Sequence, residues 1–220
     1  MKKLIYLLLF SSSIFCTAQS KNMTQFYDDL TKEEQALIKQ KSKITPMRVL
    51  LTTSANDTQV LRAMSKDINP NDPLIKLLAD RMYATVQDEA SKGVGIAAPQ
   101  VGINRNAIWV QRFDKAGEPF EFYINPKITW LSSILRHGNE GCLSIPDERG
   151  KVYRSLALQL NYFDLEGNQY EEIIEGFSAV IFQHEYDHLI GVLFTDRIKE
   201  QQNAEFKNAN EINEVYYQIK

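Results

Sequence analysis

The chain has few cysteines and histidines and no excess of basic residues. Two cysteines and three histidines occur among 220 residues, which excludes a disulfide-rich scaffold. The net charge of -3 argues against a nucleic-acid-binding protein, so no nucleic-acid partner is expected. With 44% hydrophobic and 24% charged residues, the composition is typical of a soluble globular protein and predicts one compact domain.

The apolar stretch at residues 4–15 is too short to span a membrane comfortably. Lys2 and Lys3 precede it and small residues follow it, a pattern typical of a secretory signal peptide. We predict cleavage after Ala18, which leaves an exported, periplasmic or otherwise extracytoplasmic chain without a membrane span. A lipoprotein anchor at Cys16 is the alternative, and the bulky Phe15 before it argues against that processing.

Residues 184–188 read His-Glu-Tyr-Asp-His and follow an apolar stretch that starts at Phe177. Two histidines four residues apart lie on one face of a helix, so both can bind the same metal ion. Glu185 is then placed to handle the proton of a metal-bound water, as in the H-E-x-x-H pattern. The segment predicts a hydrolytic metal site.

A catalytic metal site commonly has three protein ligands and an open position, so a third ligand must come from elsewhere in the chain. Cys142 is the strongest candidate, because Gly141 before it lets the backbone bend closely around an ion. Carboxylates remain possible. His137 has no motif partner and is predicted to be a surface or loop histidine.

Three segments together resemble the signature segments of peptide deformylases, and they occur in the family's order. They are residues 93–100 (Gly-Val-Gly-Ile-Ala-Ala-Pro-Gln), residues 140–144 (Glu-Gly-Cys-Leu-Ser) and residues 184–188. The similarity runs from about Met47 to about Ile198. It implies a hydrolase that removes the formyl group from N-formyl-methionyl peptides with one divalent metal ion. Iron(II) is the expected native ion, and zinc or nickel can occupy the site.

The resemblance also implies roles for single residues. The metal ligands are Cys142, His184 and His188, and Glu185 passes a proton to the leaving amine. The oxyanion donors are the Gln100 side chain and the Leu143 backbone N–H.

A second group of positions is expected to bind the substrate or support the metal ligands. The peptide pairs with the backbone around Val94, apolar residues of the metal-binding helix line a methionine pocket, and an arginine lies near its mouth. An ion pair behind the metal ligands holds those ligands in position. These residues are Gly93, Val94 and Gly95 for the strand, Phe177, Val180 and Ile181 for the pocket, Arg149 at the mouth, and Arg154 with Asp187 for the pair.

Each segment alone has a plainer interpretation. H-E-x-x-H arises by chance, a cysteine is commonly a small buried hydrophobe, and an apolar helix stripe commonly packs in a core. Two other functions therefore stay open. One is a metallohydrolase of altered N-acyl or peptide specificity. The other is a non-catalytic binder of formyl peptides or inhibitors, against which the presence of Glu185 and Gln100 argues.

The predicted fold is α+β, with small antiparallel or mixed sheets around a central metal-binding helix and a C-terminal helix. The expected organisation is a signal peptide (1–18), an N-terminal helical extension (19–46), the catalytic domain (47–198) and a C-terminal helical tail (199–220), in a monomer. Helices are predicted at residues 25–41, 73–91, 177–191 and 199–218, and strands at residues 107–111, 120–124, 156–163 and 170–174.

Overall fold

The computed structural model describes residues 27–210 and 215–219. The predicted signal peptide lies outside the described residues. The helices are α1 (Lys32–Lys39), α2 (Ala55–Leu61), α3 (Ile75–Gln87), α4 (Gly176–Leu189) and α5 (Phe194–Gln201), with short 3₁₀ helices at Glu89–Ser91 and Ala98–Val101. The strands are β1 (Gly95–Ala97), β2 (Ala107–Gln111), β3 (Phe120–Leu131), β4 (Leu135–Cys142), β5 (Ile145–Ser155), β6 (Ala157–Phe163), β7 (Gln169–Glu175), β8 (Phe206–Asn210) and β9 (Val215–Gln218).

These strands form two antiparallel sheets. The first has the order β1-β2-β3-β6-β7 and the second has the order β5-β4-β9-β8. The sheets surround α4, so the predicted α+β fold is confirmed. In the described part of the chain, none of the helices has the length and apolar character needed to cross a membrane.

Where the first sheet comprises β1, β2 and the start of β3, both of its faces are covered, and successive residues of each strand point to opposite sides. One face packs against α3 and the other against α4. The α3 side includes Ile96, Ala107 and Phe122, whereas the α4 side includes Ala97, Ile108 and Tyr123. Helix α4 is therefore held in the core, and its position is fixed by packing on the sheet that carries β1.

The predicted helix at residues 199–218, and with it the helical tail at 199–220, is wrong. Helix α5 ends at Gln201, and β8 and β9 add to the second sheet beside β4. The reason is aromatic packing: Phe206 stacks on Tyr153 with 3.6 Å between ring centroids, and Tyr216 lies edge-on to Tyr153 at 5.2 Å. Such tertiary contacts override helix propensity, which is a weak prior.

The N-terminal helix is shorter than predicted. Thr31 caps α1 in a capping box with Glu34, so the described helix begins only after that residue. Its charged face contacts the domain: Glu34 Oε2 accepts a hydrogen bond from the buried Arg105 at 2.8 Å. His137, predicted to be a surface or loop residue, lies in β4 and stacks on Tyr153 at 3.9 Å.

Candidate functional site

The structure brings the three predicted metal ligands together. Helix α4 places the rings of His184 and His188 5.2 Å apart, and Cys142 ends strand β4 beside them. Cys142 Sγ lies 3.1 Å from His188 Nε2. One ligand atom from each of the three residues lies within 4.8 Å of the others. Cys142 thus meets two histidines that lie 42 and 46 positions later in the sequence.

This donor set fits one divalent transition-metal ion. Two ligands of a tetrahedral ion lie roughly 3.5 Å apart, which is close to the separation between Cys142 and His188. One thiolate with two imidazoles suits iron, zinc or nickel, and three protein ligands leave one position open, as catalytic sites require. Two buried polar atoms of this site, Glu185 Oε2 and His188 Nδ1, also have no hydrogen-bond partner among the described residues.

The site favours the thiolate form of Cys142. Burial raises the pKa of this thiol, but the rings of His188 and His184 outweigh burial and hold its pKa well below the ordinary value. The thiolate is the form that binds metal. The two histidines therefore favour the metal-binding form of Cys142 even without a metal ion.

A buried ion-pair network orients His184. Its Nδ1 lies 2.9 Å from Glu140 Oε2, which leaves Nε2 free for a metal ion. Arg154 donates to Glu140 at 2.8 Å and to Asp187 at 2.5 Å, so the expected Arg154–Asp187 pair is present. Arg197 also donates to Asp187, at 2.5 Å. Two carboxylates face two guanidinium groups, so the buried charges compensate each other.

Sequence reasoning missed Glu140 and Arg197 as members of this network. Glu140 is buried, which raises its pKa, yet the contacts with His184 and Arg154 lower that pKa to about 2. Glu140 and His184 are 44 residues apart, so no local spacing signals their contact. Its place two residues before Cys142 is the only hint in the sequence.

Glu185 is 4% exposed and lines the cavity in front of the metal ligands. Burial raises its pKa to about 7, against the lowering effect of His184 and His188. A carboxyl group with a pKa near neutrality can both take up and release a proton at neutral pH. The geometry and the pKa therefore suit acid–base chemistry.

Gln100 is also buried, and its amide is fixed in one orientation. Its Oε1 accepts a hydrogen bond from the Ala97 backbone N–H at 2.8 Å, so Nε2 points toward Cys142 Sγ (3.5 Å) and Ser144 Oγ (3.3 Å). Leu143, the next residue after Cys142, lines the same cavity. Both expected oxyanion donors are therefore beside the metal ligands.

The cavity has a volume of about 310 Å³, and every predicted substrate-binding residue lines it. Phe177 is 41% exposed, which distinguishes it from an ordinary core residue, whereas Ile181 is 4% exposed and also packs in the core. The predicted residues that line the cavity are Gly93, Val94, Gly95, Arg149, Phe177, Val180 and Ile181. Lys92 and Asn139 also line it and were not predicted.

Strand β1 forms one wall of this cavity. It is the edge strand of the first sheet, so no strand of the described residues pairs with its outer side. A Cβ atom built on Gly95 would lie 2.5 Å from Glu185 Oε1 and 2.9 Å from Ile181 Cγ2. Only glycine therefore allows β1 to approach α4 this closely.

Comparison with known proteins agrees with this geometry. The polypeptide deformylase family model matches residues 50–204. A peptide deformylase of Caulobacter sp. (strain K31) is 40% identical over 152 residues, which cover 69% of this chain and 87% of the relative.

Solved structures give the same result. A Met-Ala-Ser-bound class I type b peptide deformylase from Acinetobacter baumannii has 36% identity and a TM-score of 0.62, covering 70% of this chain and 98% of that one. The peptide deformylase from Thermotoga maritima has 34% identity and a TM-score of 0.62, covering 69% and 97%. The chain therefore belongs to the polypeptide deformylase family.

Proposed function

We propose that this hydrolase removes the formyl group from N-formyl-methionyl peptides, with one divalent metal ion held by Cys142, His184 and His188. The observation that carries the proposal is the meeting of these ligands with the buried carboxyl group of Glu185 around one cavity. When bound, the ion supplies Lewis-acid chemistry, which polarises the formyl oxygen and lowers the pKa of water toward neutrality.

Glu185 acts as general base and then as general acid. Its carboxylate takes a proton from the attacking water and passes it to the amine that leaves. A pKa of about 7 suits both steps at neutral pH. Gln100 Nε2 and the Leu143 N–H stabilise the negative charge that develops on the formyl oxygen. Because Ala97 holds Gln100 Oε1 at 2.8 Å, the donor is already oriented.

The peptide binds as an added strand on the free edge of β1. Backbone groups of Val94 and Gly95 bind the main chain of the substrate, a mode that tolerates different sequences. The methionine side chain contacts Phe177, Val180 and Ile181, which line the cavity. The Met-Ala-Ser peptide bound to the Acinetobacter baumannii relative supports this choice of substrate.

Iron(II) is the proposed native ion, and zinc or nickel can also occupy the site. Thiolate and imidazole donors accept all three. An oxidising compartment threatens ferrous iron and a thiolate alike, so zinc is the credible replacement there. Metal analysis of protein purified without oxygen from its natural host tests this assignment. A predominance of an ion other than iron would contradict it.

The proposed enzyme is exported and monomeric. The signal-like composition of residues 1–18 supports export. Its substrates are then free formylated peptides, such as the ends of cleaved signal peptides. A reporter fused to residues 1–30 should leave the cytoplasm, whereas the same fusion with Lys2 and Lys3 changed to glutamate should be exported less. A reporter that stays wholly cytoplasmic would contradict the proposal.

The reaction is tested by comparing formyl-Met-Ala-Ser with acetyl-Met-Ala-Ser on metal-loaded enzyme. We expect formate release and little or no acetate release. Faster hydrolysis of the acetyl peptide would instead indicate altered N-acyl specificity. Tight binding of the formyl peptide with no hydrolysis would indicate a non-catalytic binder.

A further inference from the structure

The mouth of the cavity has a cation on each of two walls. Lys92 precedes β1, and Arg149 lies in β5 on the other side. Both side chains are exposed, and neither forms an ion pair with any residue that the structure describes. Among the nine arginines, six pair with carboxylates of described residues and three, Arg81, Arg136 and Arg149, do not; the six are Arg48, Arg62, Arg105, Arg112, Arg154 and Arg197.

The Arg149 side chain lies directly against the loop that carries Cys142. A Cβ atom built on Gly141 would lie 1.3 Å from Arg149 Nη1, so only the absence of a side chain at position 141 allows this arrangement. The guanidinium group therefore lies at the cavity, and its N–H groups form no ion pair with a described residue. Two unpaired cations at the mouth of one cavity, in a chain of net charge -3, attract an anionic group.

The spacing along β1 indicates which part of a peptide reaches these cations. Gly95 marks the reacting end, because its Cα lies beside the carboxyl group of Glu185. Lys92 is three residues earlier in the chain, and three residues of extended chain span roughly 10 Å. A peptide that runs antiparallel to β1 from Glu185 therefore brings its third residue to Lys92.

We propose that Lys92 and Arg149 bind the free terminal carboxylate of short formyl peptides, so that the enzyme prefers formyl tripeptides to longer or amidated ones. The inference rests on the proposed function and names its substrate class. Arginine can bind a carboxylate with two parallel hydrogen bonds, and lysine adds a point charge. A long nascent chain has no carboxylate at this distance from its formyl group, whereas a short free peptide does.

The test compares kcat/KM for formyl-Met-Ala-Ser, for its C-terminal carboxamide and for formyl-Met-Ala-Ser-Gly-Gly-Gly on metal-loaded enzyme. We expect the tripeptide acid to be preferred about fivefold over the other two at low salt, mainly through KM. In about 1 M salt, where the Debye length is about 3 Å, the preference should disappear.

Substitutions at Lys92 and Arg149 test whether these two side chains cause the preference for the tripeptide acid. In Lys92→Gln and in Arg149→Gln the acid-to-amide ratio should fall toward one, whatever the absolute rates. Lys76→Gln is the matched control, since Lys76 is exposed at the start of α3, at the opposite end of that helix from Lys92. The control should retain the full ratio.

Equal kcat/KM for acid and amide in the unmodified enzyme would overturn the carboxylate site, as would a ratio that survives in the Lys92→Gln, Arg149→Gln double variant. Failure to hydrolyse any of the three peptides would contradict the proposed function instead. In that case calorimetry decides the carboxylate site: the metal-loaded enzyme should bind Met-Ala-Ser about fivefold more tightly than its amide, and equal affinities would overturn the inference.

Discussion

At the scale of single residues, the H-E-x-x-H motif supplies the two histidines and the acid–base group of the site. Contacts between distant parts of the sequence supply the residues that orient them. His184, Glu185 and His188 are recognisable because one helical turn places them together. Glu140 could not be found in the same way, since it contacts His184 across 44 residues. Local spacing therefore predicts the reactive groups, whereas the groups that orient them emerge only from the fold.

Replacing Glu185 by glutamine should strongly reduce turnover without loss of metal. The amide keeps the size of the side chain but cannot accept the proton, so kcat should fall by about 10²- to 10⁴-fold. Formate release and metal content, measured on the same preparation, check this. Activity close to that of the unmodified enzyme would show that Glu185 does not transfer the proton.

Replacing Glu140 by glutamine should weaken metal binding by roughly tenfold to a hundredfold. The neutral amide no longer fixes His184 through a charged hydrogen bond, and it leaves Arg154 with one carboxylate fewer. A titration against a competing chelator measures the affinity. Glu171→Gln, on the exposed face of β7, is the control and should bind metal normally. Unchanged affinity in Glu140→Gln would contradict the role of this network.

At the scale of helices and strands, apolar runs are a good guide where turn residues mark both ends of an element. Strand β2 coincides with its predicted range, and α4 begins and ends within two residues of it. The strands β8 and β9 were predicted as helix, because their aromatic partner Tyr153 lies 53 residues before Phe206 and 63 residues before Tyr216. Sequence patterns do not record such pairings.

The close approach of β1 to α4 makes Gly95 essential. Gly95→Ala should reduce activity by about a hundredfold, because the new methyl group would displace the Glu185 carboxylate or shift β1. The matched control is Gly138→Ala in β4, where the nearest atom to an added Cβ is 3.9 Å away. Kinetics with thermal melting separates misplacement from unfolding. Full activity in Gly95→Ala would show that this contact is not required.

The turn between β2 and β3 should lose stability in acid. Burial raises the pKa of Asp114, but its contacts with Arg112 and Ser178 outweigh burial and lower that pKa to about 2. Because the folded-state pKa is depressed, the stabilisation is present above the unfolded pKa of 3.8 and is lost as the pH falls through about 2.

Asp114→Asn should therefore lower the free energy of unfolding by about 2 kcal/mol at pH 7. The difference from the unmodified protein should shrink as the pH falls from about 4 to about 2. Denaturant melts across this range measure it, with Asp80→Asn on α3 as the control. A difference that stays constant with pH would rule out the ion pair as its cause.

At the scale of the whole molecule, one buried helix links the core to the chemistry. Helix α4 packs on the first sheet with one side and presents His184 and His188, the proposed metal ligands, with another. The second sheet supplies Cys142, so the proposed metal site joins the two halves of the fold. Composition predicted one compact globular domain, and the net charge argued against a nucleic-acid-binding protein. They could not predict Lys92 at the cavity mouth, because its place depends on how β1 meets that second sheet.

The central claim is tested most directly by formate release from formyl-Met-Ala-Ser. The chain lacking residues 1–18 is purified without oxygen, stripped of metal and reloaded with iron(II), zinc or nickel. We predict no release by the metal-free protein and release after reloading, with the fastest rate for iron(II). No release with any ion, despite one bound metal ion per chain, would contradict the assignment of this site as a deformylase centre.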